Sequence, residues 1–337
     1  MEAIPLHRVA VVRPFTQFLA ELGAPVEKGL QQAKLPVLAL DNVNAYVPSL
    51  NFWAFVGHMA RHEGIDDLGF LVGKRFGANC IDPDFSRLLS RSPTLYHGLQ
   101  TTCRLAAKTI SRSRVSLSRS PADGSIRFIH RASFDASHPY LGQMDWYGIM
   151  VMIGIVRQFA GRDWQPKEIG LTLPHPPVRS IREQLQGTRL LYSQGQSCIT
   201  IEASLLSLPP VTRSSEVSGA TPVLDIHPDD VSVDFAGSIK QALGAYMMDG
   251  KPTVELAADL CSTSTRSLQR KLIKGGTTFS GLIDQIYFDA ASNMLHDHDT
   301  KVSDIAHALC FDDASHFSRS FRRIAGISPR EFRKQAM

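Results

Sequence analysis

What the sequence lacks narrows it first. Cysteine is scarce: among 337 residues stand Cys80, Cys103, Cys198, Cys261 and Cys310, an odd number with no CxxC pair and no Cys/His metal spacing. That arrangement argues against a disulfide framework and a zinc site, and free thiols in a reducing compartment are expected. Long hydrophobic runs are missing too. The most apolar stretch, 148–156, stops at Arg157 and is far too short to span a bilayer. No basic-then-apolar leader pattern is present, so the expected location is the cytoplasm, with no membrane partner. Charge of one sign is not in large excess: the formal net charge of +4 argues for a nucleic-acid partner only if basic residues cluster. No G-x-S-x-G, Walker loop, GxGxxG or nucleophilic-cysteine motif occurs. His58, His62 and Glu63 read H-x-x-x-H-E rather than the HExxH of a zinc protease, and fit surface histidines at helical spacing. Neither catalysis nor a metal nor a cofactor is expected.

What is present is one pattern written twice. Ala257, Leu260, Cys261, Leu268, Arg270 and Leu272 recur forty-nine residues later as Ala306, Leu309, Cys310, Phe317, Arg319 and Phe321. A period of that size marks a duplicated supersecondary unit. Each copy reads as an apolar helix, a short polar break and a second helix, the outline of a helix-turn-helix whose second helix enters the DNA major groove. In the first copy Ser262, Thr263 and Ser264 make the break. Leu268 and Leu272, at i and i+4, then face inward, while Arg266, Gln269 and Arg270 project outward with Lys271 and Lys274 on the flanks. Arginine suits guanine O6/N7, and glutamine adenine N6/N7.

In the second copy Ser303 or Asp304 is placed to cap a helix through Ile305, Ala306 and Leu309. After a break at Phe311, Asp312 and Asp313, residues 314–325 bury Phe317, Phe321 and Ile324 and turn Ser315, His316 and Arg319 outward. Arg319, Arg322, Arg323, Arg330, Arg333 and Lys334 stand against a single acid of that stretch, Glu331, a concentration suited to phosphate contacts. The competing reading is a solvated face in which Arg270 or Arg319 pairs with Asp284 or Asp313. Between the copies, 279–296 reads as one helix with Leu282, Ile283, Ile286, Ala290, Ala291 and Met294 inward. At ~1.5 Å per residue it spans ~27 Å, which suits two recognition helices in successive major-groove segments ~34 Å apart.

Length and a 43% hydrophobic content support two domains. Residues 209–234, which include Pro209-Pro210 and Pro228-Asp229-Asp230, show no sustained period and read as a linker between domains 1–208 and 235–337. In the first domain, helices are predicted over 12–22, 26–33, 50–63, 93–107 and 145–161. Arg114–Arg119, a turn at Pro121-Ala-Asp-Gly and 125–130 make a β-hairpin, with further strands over 168–173 and 198–201. The expected fold is thus α+β with an antiparallel sheet, followed by an all-α domain of two helix-turn-helix units joined by a long helix. Arg104, Lys108, Arg112, Arg114 and Arg119 read as exposed decoration of a helix and the hairpin or as the flank of an anionic ligand, and Trp146, Tyr147 and Phe159 as core. Any small-molecule pocket is expected between the 145–161 helix and the inner face of the hairpin.

Over roughly 235–337 the chain resembles the DNA-binding domain of the AraC/XylS family of bacterial transcription regulators. The matching residues are Ala257, Ser264, Leu268, Gln269, Arg270, Gly276 and Phe279, then Ile305, Ala306, Phe311, Ser315, Phe317, Arg319, Phe321, Arg322, Gly326, Ser328, Pro329, Phe332 and Arg333. Three positions depart: Cys310 replaces a glycine, Asp312 a serine and Tyr287 an arginine. Because cysteine disfavours positive φ, the first departure predicts a second turn that is tighter or rearranged. Residues 1–208 resemble, through Pro93-Thr-Leu, the hairpin, the Trp146 helix, His175-Pro176 and Leu205-Leu206, the arabinose-binding-like domain that some members carry instead of a cupin barrel.

The resemblance implies that Arg266, Gln269, Arg270, Ser315, His316 and Arg319 meet base edges. Ser264, Lys271, Lys274, Arg322, Arg323 and Arg330 are expected on phosphates. It also implies an activator that meets RNA polymerase. A homodimer and a small-molecule effector are the other expected partners. Two further readings stay open: an enzyme or metabolite-binding protein tethered to DNA, and an N-terminal domain that only dimerises.

Overall fold

A computed structural model describes residues 2–82, 84–111, 113–132, 134, 138–212, 232, 234–297 and 299–335. The linker expected over 209–234 lies mostly outside the described residues, as do Arg112 and the side chain of Lys108. In chain order come β1 (Leu6–Arg8), α1 (Val9–Glu21), α2 (Val26–Gln32), β2 (Tyr46–Pro48), α3 (Ser49–Glu63), α4 (Leu68–Phe76), α5 (Phe85–Leu89) and α6 (Leu95–Thr109). Then follow β3 (Arg114–Arg119), β4 (Ile126–Arg131), α7 (Leu141–Ala160), β5 (Glu168–Gly170), α8 (Arg179–Gln184), β6 (Arg189–Leu191) and β7 (Ser197–Ile201). The rest is helical: α9 (Phe235–Tyr246), α10 (Val254–Leu260), α11 (Thr265–Lys274), α12 (Phe279–Leu295), α13 (Val302–Ala308), α14 (Ala314–Ala325) and α15 (Pro329–Gln335).

These elements divide into two compact units. One holds Pro5–Leu35 and residues 49–212; the other joins the residues up to Ile4, Pro36–Pro48 and the chain from Ser232. Early segments therefore belong with the C-terminal helices. Polar contacts hold them there: the Asp249 carboxylate accepts from the Val37 and Leu38 N–H groups at 3.0 and 3.1 Å, and Ile4 N–H donates to Ser238 Oγ at 3.1 Å.

In the first unit α7 is apolar on every side, burying Leu141, Trp146, Ile149, Ile153 and Val156, so it runs through the core rather than along the surface. Helix α4 lies directly on it. A Cβ added at Gly73 would sit 2.7 Å from Met150 Cβ, so only glycine permits the approach. No helix is expected over 68–76 from the sequence, where two glycines in nine residues lower helix propensity; the close packing they allow offsets that loss. The sheet runs β3-β4-β7-β5-β6. Its pairs are antiparallel, as expected, except the β5–β6 edge, which is parallel. Buried Asp145 of α7 ties helix to sheet, accepting from Thr172 N at 3.0 Å, from Thr172 Oγ1, and from Ser197 Oγ at 2.8 Å.

Two histidines of this unit are held inside it, His7 buried and His130 half-buried. His7 Nδ1 lies 2.6 Å from Ser49 Oγ, and burial, reinforced by the nearby His130, lowers the His7 pKa to about 3. The unfolded chain takes up a proton near pH 6.5 and the folded one does not, so the group favours folding above that pH and loses its contribution as pH falls towards 3. Burial likewise depresses His130. All three tryptophans, Trp53, Trp146 and Trp164, lie in this unit, so their fluorescence reports its unfolding. The midpoint of urea unfolding should fall on acidification from about pH 6.5 to 5, and His7→Asn should flatten that slope. A wild-type midpoint constant over this interval would contradict the assignment.

Candidate functional site

Helices α10 and α11 form one helix-turn-helix, α13 and α14 the other, and α12 links them. Local sequence starts each recognition helix. Ser264 Oγ accepts from Ser267 N–H at 3.3 Å to cap α11, and Asp313 Oδ1 accepts from His316 N–H at 2.7 Å to cap α14. That hydrogen bond lowers the pKa of the Asp313 carboxyl, with Arg319 adding a smaller contribution. Thr253 and Thr278 cap α10 and α12 in the same manner. Ser328 and Glu331 satisfy each other's N–H groups at the start of α15, a capping box. The cap expected of Ser303 or Asp304 is not made: α13 begins after Lys301, without a side-chain cap, and Ser303 Oγ donates to Asp304 instead.

Of the two outcomes expected for the second turn, tighter or rearranged, the structure shows the second. Cys310 adopts φ +57°, the left-handed conformation that cysteine disfavours, and Ser262 adopts φ +49° in the first copy. The chain closes each first helix alike, with Thr263 N–H on Ala258 O and Phe311 N–H on Ala306 O, both at 2.9 Å. Counted from those closures the repeat is forty-eight residues, whereas the recognition helices keep forty-nine. The second turn is therefore one residue longer, not tighter, and Ser262 rather than Cys261 is the counterpart of Cys310.

Leu268 and Leu272 are buried on α11, and Phe317 and Phe321 on α14; Ile324 is only half-buried. Arg266, Gln269, Arg270, Ser315, His316 and Arg319 are all exposed. Surface clefts on both sides of α14 share Arg319: one also carries Ser315 and Arg330, the other His316 and Arg323. The acids named as competitors are engaged elsewhere, Asp313 in the cap and Asp284 with Arg323, at 2.8 and 2.7 Å in a two-pronged pair. Sequence reasoning missed that pair, since thirty-nine residues separate its members. Lys271 Nζ rests 5.2 Å from the centre of the Phe235 ring, and Ser264 Oγ also donates to Ser267 Oγ. Arg333 reaches the Leu295 and Thr300 carbonyls at 3.2 and 2.7 Å and clamps the loop after α12. Lys274, Arg322 and Arg330 stand exposed.

A second site lies inside the first unit. A pocket of about 90 Å³ opens between α6, the hairpin and α7, with Val115, Phe128 and His130 on one wall and Tyr147, Gly148 and Val151 on another. These are the two elements expected to form it. Trp146 and Phe159 are core, as read, whereas Tyr147 is both core and wall, its hydroxyl donating to the Cys80 carbonyl at 3.1 Å. His58 and His62 are exposed on α3, and His62 Nδ1 meets Glu63 Oε1 at 2.8 Å. All five cysteines are free thiols. Among the described residues no helix is long and apolar enough to cross a membrane.

Paired helix-turn-helix units on a shared helix, in a chain with a separate α+β unit around a pocket, define a transcription regulator of two-domain type. Comparison with known proteins makes this specific. Residues 23–210 match the family described as the arabinose-binding domain of AraC transcription regulator, N-terminal, and residues 257–335 match a helix-turn-helix domain family. The ornithine utilization regulator of Pseudomonas aeruginosa is 36% identical over 332 residues, covering 97% of this chain and 96% of that protein. The transcriptional activator RhaS of an Enterobacter species is 38% identical over 81 residues, 24% of this chain and 29% of that one. Among solved structures, the regulator CdpR of Pseudomonas aeruginosa is matched over 96% of this chain and 97% of that one, at 17% identity and a TM-score of 0.43. The chain belongs to the AraC family of transcription regulators, with a helix-turn-helix DNA-binding domain and an arabinose-binding-like N-terminal domain.

Proposed function

We propose that this regulator is an activator that reads an asymmetric site with both recognition helices and responds to a small molecule held in its N-terminal pocket. The observation that carries the reading is the placement of six outward side chains on α11 and α14, with the opposite faces buried. Gln269 and Arg270 specify one half of the site, with Arg266 beside them; His316 and Arg319, with Ser315, specify the other. Lys274, Arg322 and Arg330 bind phosphate. Lys271 and Arg323 join them by leaving Phe235 and Asp284, and Ser264 orders the start of α11. Activation is supported by the relatives named transcriptional activators, and contact with RNA polymerase is what the family resemblance implies for an activator. A regulator rather than a DNA-tethered enzyme is favoured because the relatives are regulators and the pocket walls are apolar.

Truncating one base reader should cost about 1–3 kcal/mol and relax preference at its own base pairs alone. Arg322→Ala should weaken all sequences alike and flatten the log–log salt slope, expected near −4 to −5, by about one. Selection of sites from random DNA by Arg270→Ala, Arg319→Ala and Arg322→Ala variants tests the division. An unchanged selected motif together with a lowered melting temperature for Arg270→Ala would make Arg270 structural.

The N-terminal unit is also proposed to pair two chains, which raises the effective concentration of the second on tandem sites. Sedimentation at micromolar concentration should show a dimer, with tandem sites bound cooperatively. A monomer that fills tandem sites independently would refute the pairing.

A further inference from the structure

The pocket of the N-terminal unit carries more chemistry than its position alone. Its polar wall groups are nearly all engaged within the protein. Thr102 Oγ1 donates to the Gly98 carbonyl at 2.9 Å, Thr109 Oγ1 to that of Leu105 at 3.1 Å, and the Tyr147 hydroxyl to Cys80. His7 Nδ1 is held by Ser49. Among the described residues, one buried polar atom of the wall has no partner: His130 Nδ1.

The state of that nitrogen follows from its ring neighbour. Ser113 Oγ lies 2.9 Å from His130 Nε2 and 3.3 Å from the Arg131 carbonyl. A hydroxyl has one proton and the carbonyl can only accept, so both contacts are made together only when Ser113 donates to Arg131 O and accepts from Nε2–H. Burial keeps the ring neutral. Nδ1 is then a bare acceptor. It lies beside Gly148, another wall residue, where an added Cβ would stand 3.1 Å away. The missing side chain leaves beside the nitrogen the space that a methyl group would fill.

Among the described residues the wall bears no carboxylate, lysine or arginine. A zwitterion entering such a wall would give up its hydration without a counter-charge. The free volume of about 90 Å³ is smaller than the roughly 150 Å³ apolar cavity that accepts benzene in an engineered protein. Met144 and Met152 line the pocket and can yield to admit a ring of that size.

We infer that the effector of this regulator is a small uncharged molecule, largely apolar, that donates a single hydrogen bond to His130 Nδ1. The inference rests on the reading of the pocket as the sensing site. It sets this chain apart from a sensor for a charged amino acid, although one of its relatives is named for ornithine utilization.

Phenol and toluene have nearly the same shape and differ in a hydroxyl and a methyl, so they isolate the donor. Titrating the full-length protein with phenol, toluene, L-ornithine and L-arabinose, followed by calorimetry and thermal shift, should show phenol binding about fivefold or more tighter than toluene. Neither L-ornithine nor L-arabinose should bind. In protein carrying ¹⁵N-histidine, phenol should move the Nδ1 resonance of His130 and leave Nε2 protonated. His130→Phe should remove the advantage of phenol over toluene. Gly148→Ala, which keeps the hairpin intact, should weaken phenol more than toluene. Equal affinity for phenol and toluene would overturn the hydrogen-bond assignment. Binding of L-ornithine or L-arabinose without phenol would overturn the ligand class and leave sensing standing. No binding by any of the four would overturn both.

Discussion

The second recognition helix depends on the burial of aromatic side chains against one end of α12. Ala291 and Leu295 from that helix, Ile305, Ala306 and Leu309 around α13, and Phe317 and Phe321 from α14 form a single buried cluster. Phe288 stacks on Phe321 at 5.5 Å, and Phe332 of α15 closes over both at 5.9 and 5.5 Å. Cutting one such ring back to alanine removes about 3–5 kcal/mol, a large part of the stability of a small domain. The outward face of α14 is thus fixed by its inward face, and the inward face is fixed by α12. Leu282, Ile283 and Ile286 are buried at the other end of α12, and the helix also packs against α9. One continuous helix therefore joins α9 to the aromatic cluster that holds α14.

Charge is distributed on the same logic. The basic residues of the C-terminal region do two different tasks. Arg333 satisfies two backbone carbonyls, and Arg323 forks onto Asp284 at the surface, where such a pair adds little stability but fixes a side chain in place. Lys240 pairs with Asp289 of α12 at 2.5 Å. Arg270, Arg322 and Arg330 remain exposed. A basic cluster in sequence is consequently not one phosphate-binding patch: part of it holds the domain together and part faces outward.

Local signals were legible and long-range ones were not. The i, i+4 spacing of Leu268 with Leu272 and of Phe317 with Phe321 fixed which face each recognition helix buries, and Ser264 marked its own helix start. The 279–296 helix was read to within a residue of its ends because its apolar side keeps one period throughout. The Asp284–Arg323 pair has no such signal, since only the folded path brings the two together. The turn shift at Cys310 escaped because a residue type disfavours a conformation without forbidding it, and the Schellman closure of α13 imposes it. In the N-terminal unit the hairpin and α7 were legible as elements, and so was the pocket between them. Its polar anchor was not, because the partnership of His130 with Ser113 depends on hairpin geometry rather than spacing. The same holds for α4, whose glycines look like breaks until α7 lies against them, and for β6, a three-residue edge strand too short to announce itself.

The central claim is that α12 fixes the separation of two recognition helices so that one chain spans two successive groove segments. Lengthening the DNA between the two half-sites tests it most directly. Inserting about five base pairs, half a helical turn, moves one half-site to the opposite face of the duplex. Affinity measured by fluorescence anisotropy should then fall to that of a single half-site, and a full-turn insertion should fail to restore it, because α12 cannot stretch. Undiminished binding to the half-turn operator would show that the two units read DNA independently, and the role given to α12 would be wrong.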